Sequence, residues 1–140
     1  MPVSGRSITA ATLLGALLGG CVTAGGSAQS DANGVDRVAA GEPTFLRQTY
    51  MTMDERCRSL KRPTAMLTQP PQHGTVRMAT RNAKAVYGPG PQVHCDGKVG
   101  TSLAFEYTPR PGYRGPDAFE VRVRYGDGEI RPGRFDVEVR

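Results

Sequence analysis

Two stretches near the end of the chain alternate between apolar and charged residues. Over residues 119–125 the odd positions are apolar and the even positions charged, and residues 135–140 repeat this pattern with the same parity. Successive side chains of a β-strand point to opposite faces, so this period of two predicts two strands that each bury one face. Gly126-Asp127-Gly128 tolerates positive φ and predicts a hairpin turn between them. Pro132-Gly133 predicts a bulge or interruption, which places the last strand on or near a sheet edge.

Shorter alternations upstream extend the same architecture. They are separated by Pro and Gly and lie at residues 45–53, 64–68, 74–80 and 100–108, with a weaker candidate at 83–87. Together with the two C-terminal strands they give about seven short strands and no helical period, which is typical of an all-β, antiparallel two-sheet sandwich. Composition agrees, because 18 Gly, 11 Pro and no Trp among 140 residues disfavour a helical bundle.

The first twenty residues carry the pattern of an export signal. Arg6 is the only charged residue, and it is followed by an apolar stretch over residues 8–18 that ends in small residues. This stretch is too short to span a bilayer, and it lacks the polar face of a short buried helix. We therefore predict that residues 1–20 are a signal peptide and that the protein is exported.

A cysteine follows this segment directly. Leu18-Gly19-Gly20-Cys21 resembles the lipobox of bacterial lipoproteins, in which the cysteine is lipidated and becomes the mature N-terminus. The resemblance implies that acyl chains on Cys21 anchor the protein to a membrane without a spanning segment. In that family an Asp after the cysteine favours the inner membrane; because Val22 stands here, we expect the outer membrane. The alternatives for Cys21 are an unpaired thiol or a disulfide with another cysteine.

Residues 21–42 read as the lipidated cysteine followed by a disordered linker. Small and polar residues without a period of 2 or 3.6 bury too little surface to offset the entropy of ordering them. We therefore expect a flexible tether up to residue 42 and a folded domain over residues 43–140.

The two remaining cysteines, Cys57 and Cys95, form an even pair in an exported chain, which predicts a disulfide. A zinc site with His73 and His94 is disfavoured, because the spacing of these four residues matches no compact zinc motif. A catalytic thiol is disfavoured because neighbours on a strand point to opposite faces, which would keep His94 away from Cys95. We predict no metal and no cofactor.

The segment 107–119 carries a motif of known type. It resembles the signature of bacterial immunoglobulin-like and cadherin-like domains, and residues 71–76 resemble the Pro-x-x-Gly-x-Val hairpin of the same domains. The matching positions are Tyr107, Pro109, Gly112, Tyr113, Gly115, Asp117 and Phe119. The residue types indicate structural roles: prolines stiffen a crossing between sheets, glycines permit tight backbone, and Asp117 accepts hydrogen bonds from loop amides. The acidic clusters that bind calcium between cadherin-type repeats are missing from the sequence.

Charge adds one candidate contact. The chain has 18 Lys and Arg against 13 Asp and Glu, and removal of the signal peptide takes away Arg6 alone. Arg56, Arg58, Lys61 and Arg62 lie close together in sequence and form a candidate contact for an anion or a partner. The alternative is a solvated surface whose charges are compensated by neighbours. A nucleic-acid partner is disfavoured, because the protein is predicted to be exported and no aromatic residues interleave these cations.

The sequence therefore predicts a non-enzymatic lipoprotein of the cell envelope. Its immunoglobulin-like domain would bind a protein or glycan partner through loops or an exposed strand edge, or would act as a spacer. The alternative is an exported enzyme or enzyme inhibitor with a loop-borne site, for which residues 84–96 are the candidate. The sequence does not indicate an oligomeric state.

Overall fold

The computed structural model describes residues 26–30 and 32–140. The predicted signal peptide and the predicted lipidation site Cys21 lie outside the described residues. Within the described part of the chain, no helix has the length and apolar character needed to cross a membrane.

Two β-sheets confirm the predicted all-β sandwich. The strands are β1 (Gly26–Ser27), β2 (Gln29–Ser30), β3 (Asp36–Val38), β4 (Thr44–Phe45), β5 (Thr64–Gln69), β6 (Gly74–Lys84), β7 (Val99–Pro109), β8 (Gly115–Arg124) and β9 (Ile130–Val139). One sheet has the strand order β1-β4-β7-β6, and the other has the order β2-β3-β9-β8-β5. The described strands outnumber the seven expected because four of them have only two or three residues, too few for an alternation to be recognised.

The core lies between the sheets and follows the predicted alternation. On β8 the side chains of Phe119, Val121 and Val123 are at most 1% exposed. Phe135 of β9 stacks on Phe119 with ring centroids 4.7 Å apart, and Phe105 of β7 lies 4.8 Å from Phe135. These three rings join the two sheets, and each such pair contributes about 0.5–1.5 kcal/mol beyond its buried area.

The predicted hairpin between β8 and β9 is confirmed. The Tyr125 N–H donates to the Glu129 carbonyl at 2.9 Å, and the Gly128 N–H donates to the Tyr125 carbonyl at 3.0 Å. Gly128 has a φ of 90°, which a glycine adopts at little cost. The result is a three-residue hairpin loop, one of the common lengths for antiparallel strands.

The position predicted for the last strand is wrong in part. β9 lies between β8 and β3, and its register with β8 continues through Pro132-Gly133 without a bulge. However, β3 pairs only with residues 137–139. Among the described residues, the first part of β9 therefore has a neighbouring strand on one side alone.

The prediction of a disordered linker up to residue 42 is also wrong over much of its length. Ala28 and Val38 are 6% and 3% exposed and belong to the core, and β3 pairs in parallel with the end of β9. The Ala40 N–H donates to the Arg140 carbonyl at 2.9 Å. The folded domain therefore begins before residue 43. The local composition does not predict β3, because β3 is held by a strand about a hundred residues away in sequence and shows no periodicity of its own.

Two further expectations need correction. Residues 45–53 do not form one strand: β4 ends at Phe45, and only isolated bridges from Tyr50 to Leu103 and from Met53 to Ser59 follow. The 71–76 segment is not a hairpin within one sheet, because it leads from β5 into β6, and these strands belong to different sheets. The chain crosses between the sheets here, as it does again between β7 and β8.

Candidate binding groove

A buried carboxylate joins the two crossings. Asp117, which is 9% exposed, accepts a hydrogen bond from the Tyr107 hydroxyl at 2.7 Å. It also accepts from the backbone N–H groups of Gln72 at 3.0 Å and His73 at 2.9 Å, and from that of Ala118 at 2.9 Å. The predicted role of Asp117 as an acceptor for loop amides is confirmed, and the amides of the 71–76 segment are among its donors.

The other motif residues shape the same region. Gly112 and Gly115 have φ values of 82° and 126°, where residues with a Cβ are strained. The Tyr113 hydroxyl donates to the Pro116 carbonyl, and its ring stacks on the His73 imidazole with centroids 4.0 Å apart. Pro109 and Phe119 are fully buried. In this structure the motif residues therefore fix the backbone between β7 and β8 and fill part of the core.

The environment of Asp117 affects its ionisation and that of Tyr107. Burial raises the pKa of Asp117, but hydrogen bonds from Tyr107 and from the backbone amides outweigh burial and hold the pKa below its ordinary value. Burial raises the pKa of the Tyr107 hydroxyl, and the adjacent carboxylate raises it further. Asp117 is therefore charged and Tyr107 protonated at neutral pH.

The predicted disulfide between Cys57 and Cys95 is confirmed. Their Cα atoms lie 5.2 Å apart, and Cys95 is fully buried in a small second core with Met53. The loop that presents Cys57 is held by Asp54, whose carboxylate accepts from the N–H groups of Arg56 and Arg58 at 2.9 Å each. These hydrogen bonds, that of the Arg58 backbone first, lower the pKa of Asp54. The disulfide thus fixes this loop to the 3₁₀ turn Val93–Cys95.

His94 lies closer to this disulfide than the sequence suggested. His94 and Cys95 belong to a 3₁₀ turn and not to a strand, so the expected separation of their side chains to opposite faces does not apply. Ligand atoms of Cys57, His94 and Cys95 lie within 4.8 Å of one another. Because the two sulfurs are bonded to each other, neither is the thiolate that a metal or a nucleophilic reaction requires. The His94 Nε2 lies 2.6 Å from the Glu55 carbonyl.

The four cations of the predicted contact have different surroundings. Arg58 is paired with Asp54 at 2.7 Å. Arg62 donates from Nε to the Thr80 hydroxyl at 2.6 Å. Arg56 lies in the turn before Cys57. Of these four residues, only Lys61 lines the groove described next.

This groove, with a volume of about 1140 Å³, is the candidate binding site. It is lined by residues 47–52, by the end of β6 and residues 86–88, by the β8–β9 turn, and by part of β9. Residues 84–92, within the segment considered for the alternative enzymatic site, contribute several of these lining residues. The groove therefore extends along the first part of β9, where the described residues provide a neighbouring strand on one side alone.

Three tyrosines line the groove: Tyr50, Tyr87 and Tyr125. The Tyr50 ring makes edge-on contacts with Phe105 and Phe135, and its hydroxyl accepts a hydrogen bond from Gln48 Nε2 at 2.6 Å. Burial raises the pKa of Tyr50 and of Tyr125, so both hydroxyls stay protonated at neutral pH. Each offers a polar hydroxyl at the end of an apolar ring.

The groove also carries cations that form no ion pair within the described part of the chain. Arg131 pairs with Glu129 at 2.8 Å, and Arg134 pairs with Asp136 at 2.9 Å. Among the described residues, three other cations of the groove form no ion pair: Arg47, Lys61 and Lys84. The carboxylates that complete the lining are Asp36, which is 4% exposed and accepts from the Arg47 N–H at 3.4 Å, and Asp127, which accepts from the Glu129 N–H at 2.8 Å. Tyrosine and cationic side chains together can bind a ligand that combines an apolar or stacking surface with acidic groups.

Sequence reasoning did not find this groove. Its residues come from five separate segments, and no local pattern links residues 47–52 to the β8–β9 hairpin. The sequence predicts a contact at Lys61 because other cations lie near it in the chain. It gives no sign that Lys61 shares a groove with Arg47 and Lys84. A comparison of the chain with family models, with curated proteins and with solved structures found no match.

Proposed function

We propose that the protein is an exported lipoprotein of the cell envelope whose sandwich domain binds a partner in the groove. The observation that carries this proposal is the groove itself, which brings to one concave surface three tyrosines and three cations that form no ion pair with the described residues. Tyrosine and arginine are enriched where proteins bind partners tightly, because they combine large contact area with directed hydrogen bonds.

The envelope location is supported by the sequence and by the disulfide. Cys57 and Cys95 are joined, which is typical of oxidising compartments. Lipidation of Cys21 would hold the domain near a membrane surface, with the segment before β1 as the connection. The motif of residues 107–119 supports an immunoglobulin-like domain, which commonly serves as a scaffold for binding loops.

Photo-crosslinking in intact cells tests the binding proposal. A crosslinking residue replaces Val86, which lines the groove and is 91% exposed, and a matched control replaces Met66, which is 59% exposed on β5 and lies outside the groove. The proposal predicts a discrete crosslinked partner from position 86 that is lost when Arg47, Lys61 and Lys84 are changed to Ser. Equal products from both positions, or products unaffected by these substitutions, would contradict it.

Lipid anchoring has its own test. Replacement Cys21→Ser should abolish metabolic labelling with a fatty acid and leave residues 1–20 attached, so that the variant runs at the mass of the uncut chain. Unchanged labelling, or cleavage as in the parent, would overturn the anchor while leaving the groove untouched.

A further inference from the structure

The free part of β9 suggests how the groove holds its partner. The hairpin hydrogen bond from the Tyr125 N–H to the Glu129 carbonyl fixes the parity of the β8–β9 ladder. Residues 131, 133 and 135 then direct their backbone groups toward β8, and residues 130, 132 and 134 direct theirs away from it. The far end of β9 shows the same parity, because the Arg140 N–H donates to Val38 of β3.

Pro132 agrees with this assignment. A proline has no N–H to donate, and within sheets it is therefore confined to positions where that group would face away from the neighbouring strand. Pro132 occupies an edge-facing position of β9 and leaves the ladder with β8 intact. The edge of Ile130, Pro132 and Arg134 thus offers the N–H groups of Ile130 and Arg134 and three carbonyls. Among the described residues, no strand pairs with it.

Charge indicates the character of the strand that would pair there. The groove beside this edge is lined by Arg131 and Arg134 of β9, whose charges are compensated by Glu129 and Asp136. The other cations of the groove, Arg47, Lys61 and Lys84, form no ion pair with any described residue. An extended peptide on the edge directs alternate side chains into the groove, where acidic groups meet these cations.

We propose that an extended acidic peptide segment of a partner protein adds as a strand to the Ile130–Arg134 edge of β9 and places acidic side chains among Arg47, Lys61 and Lys84. This inference rests on the proposed function and specifies the ligand class of the same groove. A peptide is favoured over a glycan because the edge offers a main-chain ladder, which only another peptide backbone completes over several residues.

An NMR titration of the full-length chain in detergent micelles tests this inference. The probes are eight-residue peptides of alternating Glu-Val, Gln-Val or Lys-Val, together with two N-methylated Glu-Val peptides, one methylated at every Glu and the other at every Val. We expect the Glu-Val peptide to bind most tightly and to shift the amides of Ile130 and Arg134, and we expect N-methylation on the pairing side to abolish binding. Tighter binding of the Lys-Val peptide, or binding that survives both patterns of N-methylation, would overturn the proposal.

Matched variants separate charge from fold. The Arg47→Ser, Lys61→Ser, Lys84→Ser variant should weaken Glu-Val binding roughly tenfold. The control variant Arg114→Ser, Arg122→Ser, Arg124→Ser also removes three cations, but from outside the groove, and should bind as the parent does. Ile130→Pro removes an edge-facing N–H and should weaken binding, whereas Ile130→Thr should not.

A glycan probe distinguishes failure of the peptide inference from failure of the proposed binding function. If polygalacturonate shifts groove resonances and none of the peptides does, the peptide inference fails and the groove remains a binding site. If no probe shifts groove resonances and the Val86 crosslink is also absent in cells, both the inference and the proposed function fail.

Discussion

Replacement of Asp117 by Asn removes a buried carboxylate that accepts four hydrogen bonds. One carboxylate oxygen accepts from the N–H groups of Gln72 and Ala118, and the other accepts from the His73 N–H and the Tyr107 hydroxyl. An amide has one acceptor oxygen only, so in either orientation its NH₂ group faces two former donors. Rotation of the Tyr107 hydroxyl relieves one of these conflicts when the NH₂ faces it, but the His73 N–H is then left without an acceptor.

The expected cost follows from these contacts. Loss of hydrogen bonds to a charged acceptor costs about 1.5–3 kcal/mol, and an unsatisfied buried N–H costs about 1–3 kcal/mol. Because the two contributions overlap, we expect Asp117→Asn to lower the free energy of unfolding by about 3 kcal/mol at pH 7. The exposed control Glu42→Gln, whose side chain makes no hydrogen bond within the described structure, should change it by less than about 0.5 kcal/mol.

The cost should depend on pH. Because the pKa of Asp117 is lowered in the folded protein, its stabilisation is complete above the ordinary carboxyl pKa of about 3.9 and is lost as the pH falls through the folded value. Urea unfolding, followed by circular dichroism at pH 7, 4 and 2.5, should therefore show the parent and Asp117→Asn converging in acid. A loss below about 1 kcal/mol at pH 7 would refute this reasoning, as would a difference that stays constant down to pH 2.5.

Three other substitutions test separate parts of the fold by the same urea assay. Replacing Cys57 and Cys95 by Ser opens a loop with a sequence separation of 38 and should cost about 4 kcal/mol; equal stability with and without the bond would contradict a structural role. Gly133→Ala should cost about 1–3 kcal/mol, because the added Cβ would overlap the Tyr50 hydroxyl and lie 2.9 Å from Val121. Combining it with Tyr50→Phe should recover part of this loss. If the losses of unfolding free energy in the two single variants simply add in the double variant, the clash is excluded. Tyr107→Phe should cost about 1–2 kcal/mol at pH 7. Because the pKa of Tyr107 is raised in the folded protein, its stabilisation is complete below the ordinary tyrosine pKa of about 10 and declines as the pH rises from there toward the folded value. The difference between the parent and Tyr107→Phe should therefore shrink above pH about 10, and a constant difference would argue against this account.

The parts of the fold that sequence predicts are those with local signals. Alternation over residues 119–125 and 135–140 predicts β8 and the second half of β9, because one face of the sheet is buried there. The first half of β9 has no buried face and no such alternation. The glycines of the intervening turn define the hairpin. Asp117 is predictable because a buried acid between a crossing segment and a strand needs donors, and nearby loop amides supply them.

The parts that sequence missed depend on distant contacts. β3 has three residues, and it is held by a parallel ladder to β9 and by burial of Val38, neither of which leaves a periodic pattern. The groove has the same origin, because Arg47, Lys61 and Lys84 are far apart in the chain and meet only when the sheets are assembled. Cys57 and Cys95 form the exception, since pairing of two cysteines is readable from their number and the predicted compartment.

Residue-resolved amide hydrogen exchange of the full-length chain tests the unpaired edge of β9, on which the account of the groove depends. The amides of Arg131 and Phe135, which face β8, should exchange slowly, and those of Ile130 and Arg134 should exchange much faster in the free protein. On addition of the acidic Glu-Val peptide, the Ile130 and Arg134 amides should become protected while Arg131 and Phe135 stay unchanged. Equal protection of all four amides in the free protein would contradict the account, because it would mean that the edge is already occupied.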